Sequence, residues 1–261
     1  MELSIVVPCY NEVRNLDRLV GAFRQAIGDR QDTEVVLVDN GSSDETPRHI
    51  ARLMAEPVNH FLRSVRVEVN RGYGHGIMFG LRHSHGKFLA WTHADLQTPP
   101  QDALRALTLI QAMERPEHAL VRGTRKGRPL FDWLFTAAMG CVASVCLRSP
   151  LHDVNAQPKM FHRSLLGQLI NAPDDFTLDL YLLHRAHQLR LDVQAVDVRF
   201  NARTAGESKG GGSMAGKYRL SKRTLLQIWN LRRQLRTAPS VRSAASALTQ
   251  HASEDSLKNV A

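Results

Sequence analysis

At 261 residues, with 43% hydrophobic and 23% charged residues, the chain has the size and composition of one large globular α/β domain. Its net charge of +9 is uneven, because the stretch from Arg203 to Arg242 holds ten Lys and Arg against the single acid Glu207. Without a stacking-aromatic pattern that basic stretch excludes nucleic acid as the expected partner and suits diphosphates or anionic headgroups; the longest uncharged apolar run, Trp133 to Leu147, is fifteen residues where a spanning helix needs about 20.

Leu3 to Pro8 is a Val/Ile-rich run, the pattern of a strand covered on both faces. Asn11 is placed to cap the helix that follows, whose stripe is Leu16, Leu19, Val20, Phe23 and Ile27. Glu34 to Val38 repeats the strand signal and ends in the turn-rich cluster Asp39 to Asp44, after which Thr46-Pro47 starts a second helix. Ser64 to Val69 reads as a third strand. It leads into Asn70-Arg-Gly-Tyr-Gly-His-Gly76, whose alternate glycines let the backbone approach a ligand closely. The apolar run Phe88 to Trp91 predicts a buried strand that stops at His93, Asp95 and Gln97 before Pro99-Pro100 opens a helix over Gln101 to Met113. A carboxylate and an imidazole two residues apart point to the same side of an extended chain and can address one cation or one diphosphate; a polar turn with a helix-capping Asp is the plainer alternative. With a strand at Ala119 to Arg122, the order predicts a mostly parallel central sheet with helices on both faces, joined by right-handed crossovers.

Beyond Gly123 the pattern changes. A basic loop, Arg125 to Arg128, precedes an apolar helix from Leu130 to Leu147, read as packed core or as a helix lying in a membrane surface. Asp153 to Lys159 leads into Met160-Phe161, and a short helix covers Leu165 to Ile170. Asp174 to Asp179 opens an amphipathic helix to Leu189, and Val193 to Phe200 is a late strand. Residues 211–238 form a basic amphipathic helical segment, and 239–261 a tail expected to be disordered. Three cysteines without metal-type spacing, and no signal sequence before the first strand, fit a cytoplasmic protein.

Taken together, Val7-Pro-Cys-Tyr-Asn-Glu12, Val38-Asp-Asn-Gly-Ser-Ser-Asp-Glu-Thr46, Asn70-x-Gly-x-Gly74, Ala94-Asp-Leu-Gln-x-Pro-Pro100 and Arg203-x-x-Gly-x-Ser-Lys209 resemble a family 2 glycosyltransferase of the GT-A fold. The branch is that of dolichyl or polyprenyl phosphate sugar transferases, and the likeness runs from residue 3 to about 210. It implies a GT-A domain over 1–210, with a nucleotide-sugar half to 123 and an acceptor half after it. Pro8, Tyr10 and Glu12 would line the nucleotide pocket and Asp39 would contact the base or ribose, with Asn40 in place of the pattern's second carboxylate. Asn70, Gly72, Gly74, His93, Ala94 and Asp95 complete the donor site. Asp95 and Gln97 would bind a divalent cation, Mn²⁺ or Mg²⁺. His93 stands where the family has the first Asp of Asp-x-Asp; as a third metal candidate its nitrogen favours Mn²⁺. Arg203 and Lys209 would supply mobile positive charge to the diphosphate. Asp179 is the candidate base with Asp153 behind it, helix-end electrostatics and turn capping being their alternatives.

The implied reaction is inverting transfer of a hexose from a nucleotide sugar to a polyprenyl phosphate or related lipid-linked acceptor, at the inner face of the cytoplasmic membrane. Transfer to a hydroxyl of a surface polysaccharide or lipopolysaccharide is the alternative acceptor chemistry, and a degenerate domain that binds nucleotide sugar without turnover the alternative class. The anchor would be the membrane surface itself or a membrane-embedded partner subunit. Lys217, Arg219, Lys222, Arg223, Arg232, Arg233 and Arg236 flank Leu225, Ile228, Trp229, Leu231 and Leu235, which can insert in an interface or dock on the domain's own core.

Overall fold

The computed structural model describes residues 1–127, 140–199 and 214–237, with side chains of the last segment described over 224–235. Seven strands form one sheet in the order β3-β2-β1-β4-β6-β5-β7. β1 (Leu3–Cys9), β2 (Thr33–Asn40), β3 (Leu62–Val67) and β4 (Phe88–Trp91) are mutually parallel, as the βαβ pattern predicts. β5 (Ala119–Lys126) runs parallel to β7 (Asp192–Arg199), and β6 (Lys159–His162) lies antiparallel between β4 and β5.

Two apolar cores sandwich the sheet. On one face α1 (Leu16–Ile27), α2 (Thr46–Met54) and α4 (Gln101–Gln111) pack on Ile5, Val35, Leu37 and Ala90. On the other, α3 (Tyr73–Arg82), the helix α5 described over 140–147, α6 (Leu178–Gln188) and α7 (Met214–Thr237) cover Val6, Val36, Leu89 and Trp91. The predicted stripe of α1 is buried in full, each such side chain contributing about 1.5–3 kcal/mol over an exposed one. The crossovers through α1, α2 and α3 share one hand, but β4-α4-β5 takes the opposite hand because α4 lies on the α1 face while the chain moves the other way along the sheet. Uniform right-handedness therefore fails at that connection, where α4 settles beside α1 and α6 takes the opposite face. The expected loop around 203–210 and the tail beyond 239 lie outside the described residues, as does the start of the apolar helix before residue 140.

Candidate active site

The order β3-β2-β1-β4 reverses direction at β1, so the crevice over the carboxyl ends of β1, β2 and β4 is the place where strand-to-helix turns converge. Cys9 and Asp39 are paired in register, which sets the two following turns side by side. They are stitched together: the Asn11 amide donates to Ser42 Oγ at 3.0 Å, the Ser43 amide to Asn11 Oδ1 at 2.9 Å and the Glu12 amide to Thr46 Oγ1 at 2.9 Å. Asn11 is not the cap of α1 that its position suggested. Its φ of 56° puts it in a left-handed turn, and the helix starts later, after Asn15. Pro8, Tyr10 and Glu12 nonetheless reach this rim, Tyr10 being 40% exposed.

Asp39 is buried. Its Oδ1 accepts the Ser42 amide at 3.0 Å, whereas Oδ2 makes no hydrogen bond among the described residues and has only a 3.5 Å ion-pair contact with Arg66, whose side chain is half exposed. A buried acceptor left unsatisfied costs about 1–3 kcal/mol, so among the described residues this oxygen has capacity to accept a further hydrogen bond. Next to it, Asn40 donates from Nδ2 to Gly72 O at 3.0 Å. A carboxylate would face that carbonyl with no proton to give, which accounts for the amide at this position.

Beyond the end of β4, Asp95 accepts the Gln97 amide on Oδ1 at 3.1 Å, the local turn expected of a capping Asp. His93 is tied by Nε2 to the Tyr73 hydroxyl at 2.9 Å, its ring edge-on to the tyrosine. That contact occupies Nε2 and leaves the choice of tautomer to decide what Nδ1 can do. If Tyr73 donates, Nδ1 carries the proton and offers an N–H to phosphate; in the other tautomer Nδ1 can bind metal. Among the described residues no three His, Cys, Asp or Glu gather as a metal cluster. The donor set of Asp95, Gln97 and His93 thus fits a divalent ion that completes its shell with substrate phosphates and water, and does not fit a resident, fully protein-held metal.

Below the crevice lies a buried polar network. Asp179, at the start of α6, is 2% exposed; its Oδ1 accepts from Trp91 Nε1 at 3.2 Å and Gln157 Nε2 at 2.9 Å, with Lys159 Nζ 3.3 Å away. Lys159 also donates to Val154 O at 2.7 Å and to Ala156 O. Burial lowers the lysine's pKa, and Asp179 counters it. Gln157 also reaches the Tyr73 hydroxyl at 3.4 Å, and burial followed by the nearby Asp179 raises that hydroxyl well above its ordinary value, keeping it protonated. Asp153, the second candidate base, receives the Arg125 amide at 2.7 Å and Nε at 2.8 Å as well as Nη2. Both carboxylates are thus engaged by cations. Tyr73, Trp91, Gln157 and Lys159 escaped the sequence reading; the one signal was a lone lysine opening the apolar Lys159-Met-Phe161.

The alternate glycines face a part of the chain that the sequence did not point to. Asn70 Oδ1 accepts the Gly72 amide at 2.9 Å, but a Cβ on Gly72 would come within 2.3 Å of Asp174 O, and one on Gly74 within 2.1 Å of Pro173 O. Their close approach is to the chain's own 173–175 loop. The loop then delivers Phe176 to stack on Tyr73, ring centroids 4.8 Å apart. Ala94 is buried beside Asp95, and Arg203 and Lys209 lie outside the described residues.

The sequence profile of Glycosyl transferase family 2 matches residues 4–157, more than half of the chain. The chain belongs to glycosyl transferase family 2. Among its relatives, the undecaprenyl-phosphate 4-deoxy-4-formamido-L-arabinose transferase of Shewanella sediminis is 37% identical over 80% of this chain and 62% of its own length. The dodecaprenyl-phosphate galacturonate synthase of Rhizobium johnstonii is 30% identical over 65% and 50%, and the dolichol-phosphate mannosyltransferase of Mycosarcoma maydis 27% identical over 82% and 76%. The chain spans less than two thirds of the undecaprenyl- and dodecaprenyl-phosphate enzymes it matches. In structure it is similar to glucosyl-3-phosphoglycerate synthase of Mycobacterium tuberculosis, solved with Mn²⁺, uridine diphosphate and glucosyl-3-phosphoglycerate, at a TM-score of 0.63 and 19% identity over 88% of this chain and 80% of that one. A Pyrobaculum calidifontis mannosyltransferase, solved with GDP-Man and Mn²⁺, matches at 0.59 and 19% over 96% and 79%. These likenesses give this family 2 member the expected GT-A fold.

Proposed function

We propose that the chain transfers a hexose from a nucleotide sugar to a polyprenyl phosphate or related lipid-linked phosphate, with inversion, at the inner face of the cytoplasmic membrane. The observation that carries this reading is the commitment of both candidate bases to cations, Asp179 to Lys159 and Asp153 to Arg125. A hydroxyl acceptor needs a base to take its proton, whereas a phosphate arrives ionised. The prenyl-phosphate names of the relatives point the same way.

In this reading Asp39 takes the base or ribose, Tyr10 covers it, and Asp95 with Gln97 holds the diphosphate side through a divalent ion; the two solved neighbours were both solved with Mn²⁺. That ion would neutralise charge growing on the departing nucleoside diphosphate. His93 contributes either a ligand or an N–H from Nδ1, and Arg203 and Lys209 are assigned the remaining diphosphate charge. Tyr73, Gln157 and Asp179 hold His93 and the β4 end in place, a preorganisation that costs nothing at the moment of reaction.

Incubating the protein with radiolabelled nucleotide sugars and polyprenyl phosphate, with Mn²⁺ or Mg²⁺, tests the reading. Label passing to a lipid-extractable product supports it. Label passing only to a glycan hydroxyl, or no turnover despite nucleotide binding, rejects it.

A further inference from the structure

Trp91, Lys159 and Arg122 are partners in register across β4, β6 and β5, so their side chains share one face of the sheet. That face is covered by α6, whose Asp179 takes both Trp91 and Lys159. One step further along, Asp153 is occupied by Arg125. Two carboxylates are therefore matched with two cations, and Arg122 is the third cation of the cluster. Among the described residues its side chain has no carboxylate within 4 Å, and its only hydrogen bond is a long one, 3.4 Å, from Nη1 to Gly123 O. A guanidinium carries five donors. Arg122 is only partly exposed, and burial lowers its pKa with Asp153 countering, the mark of a cation held without enough counter-charge.

Its position is as informative as its shortage of close partners among the described residues. β5 runs in the direction of β4, so Arg122 approaches the same edge of the sheet as His93 and Asp95. Two strand spacings of about 4.8 Å separate it from the end of β4, about 10 Å in all, leaving room for a sugar between a diphosphate at Asp95 and an anion at Arg122. Asp39 and Asn40 lie on the opposite side of β4, beyond β1.

We infer that Arg122 binds the phosphomonoester of the acceptor and holds it for attack. This rests on the lipid-phosphate reading above and assigns its acceptor end. A phosphate oxygen bonds to the sugar's anomeric carbon as the bond from that carbon to the diphosphate oxygen breaks, and the electron pair leaves with the nucleoside diphosphate. No proton has to be removed.

Isothermal titration of the full chain tests it, with a soluble short-chain prenyl phosphate, the corresponding prenol, inorganic phosphate as competitor, and UDP and GDP each with Mn²⁺. Arg122→Gln is expected to weaken prenyl phosphate at least about tenfold, as loss of a charged, bidentate partner does, with nucleotide affinity unchanged. Arg122→Lys, which keeps charge but not the fork, should fall between the two. Inorganic phosphate should displace prenyl phosphate, and the prenol should not bind. Prenyl phosphate binding that ignores Arg122, or nucleotide affinity that falls equally, overturns the assignment; the second outcome moves Arg122 to the donor. Binding that survives excess inorganic phosphate overturns it as well. Should Arg122→Gln fail to fold, Arg122→Lys decides, unchanged prenyl phosphate affinity being the adverse result. Wild-type protein that binds nucleotide but no prenyl phosphate rejects the lipid-phosphate reading itself.

Discussion

Asp179 and Asp95 are both buried carboxylates at the ends of strands or helices, and their surroundings give them different work. Asp179 neutralises Lys159, which is fully buried, so Asp179→Asn leaves an uncompensated charge in the core. Breaking a buried pair in this way costs about 3–5 kcal/mol, and the expected result is a marked fall in the melting temperature. A dedicated base would instead lose turnover at unchanged stability, so calorimetry and kinetics on one variant separate the roles. Asp95 accepts the Gln97 amide in a local turn, a contact of about 1 kcal/mol. Asp95→Ala should leave the fold intact, abolish transfer and weaken Mn²⁺-supported nucleotide binding. Titration with nucleoside diphosphate in the presence and absence of Mn²⁺ checks this, and an affinity that does not depend on Asp95 removes it from the metal site.

Among the elements, α3 shows how a sequence signal can be legible while its partner is not. Alternate glycines announce a close approach, but nothing local says what approaches; the partner, Pro173 to Asp175, is about a hundred residues away. Gly74→Ala places a methyl against Pro173 O and Asp175 O, and overpacking of this kind costs about 1–3 kcal/mol. A lower melting temperature and a displaced Tyr73–Phe176 stack, seen in aromatic circular dichroism, are expected. β1, β2 and β4 were readable because strands buried on both faces must be continuously apolar, and the stripe of α1 because one helical face meets the sheet. β6 was not. Four residues carry no periodicity, and its opening lysine contradicts burial until Asp179 is brought beside it by the fold. At the start of β2, Glu34 shows the same long-range satisfaction. Burial opposes its charge, but Ser4, the His85 amide and Arg63 outweigh burial and lower its pKa. A lowered carboxylate contributes stability that is complete above its unfolded value near 4.3 and is lost as pH falls through the folded value. Stability measured from pH 6 downward should therefore decline on the acid side, and Glu34→Gln should flatten that limb while lowering stability at neutral pH. An unchanged acid limb would rule out Glu34 as its source.

For the whole molecule, the open question in the sequence was whether the basic segment docks on protein or on lipid, and α7 has a face for each. Ile228 and Leu231 are buried in the second core, while Leu225, Leu226 and Trp229 are 43%, 54% and 53% exposed. Arg233 lies over the Trp229 ring, 4.7 Å from its centroid, the pairing of aromatic and cation found at membrane interfaces. None of the described helices is long and apolar enough to cross a bilayer. A helix clamped to the core by one side while presenting leucines, a tryptophan and arginines on the other can set the height of the crevice above the headgroups. Each basic residue near an anionic surface adds about 1 kcal/mol. Flotation with liposomes should show binding that rises with anionic lipid, falls with salt and disappears when Arg232, Arg233 and Arg236 become Glu. Replacing Leu225 and Trp229 by Ser should weaken the same binding without lowering the melting temperature, because neither is part of the buried face. A protein that ignores anionic liposomes at low salt would falsify surface docking and transfer the anchoring role to a membrane-embedded partner subunit.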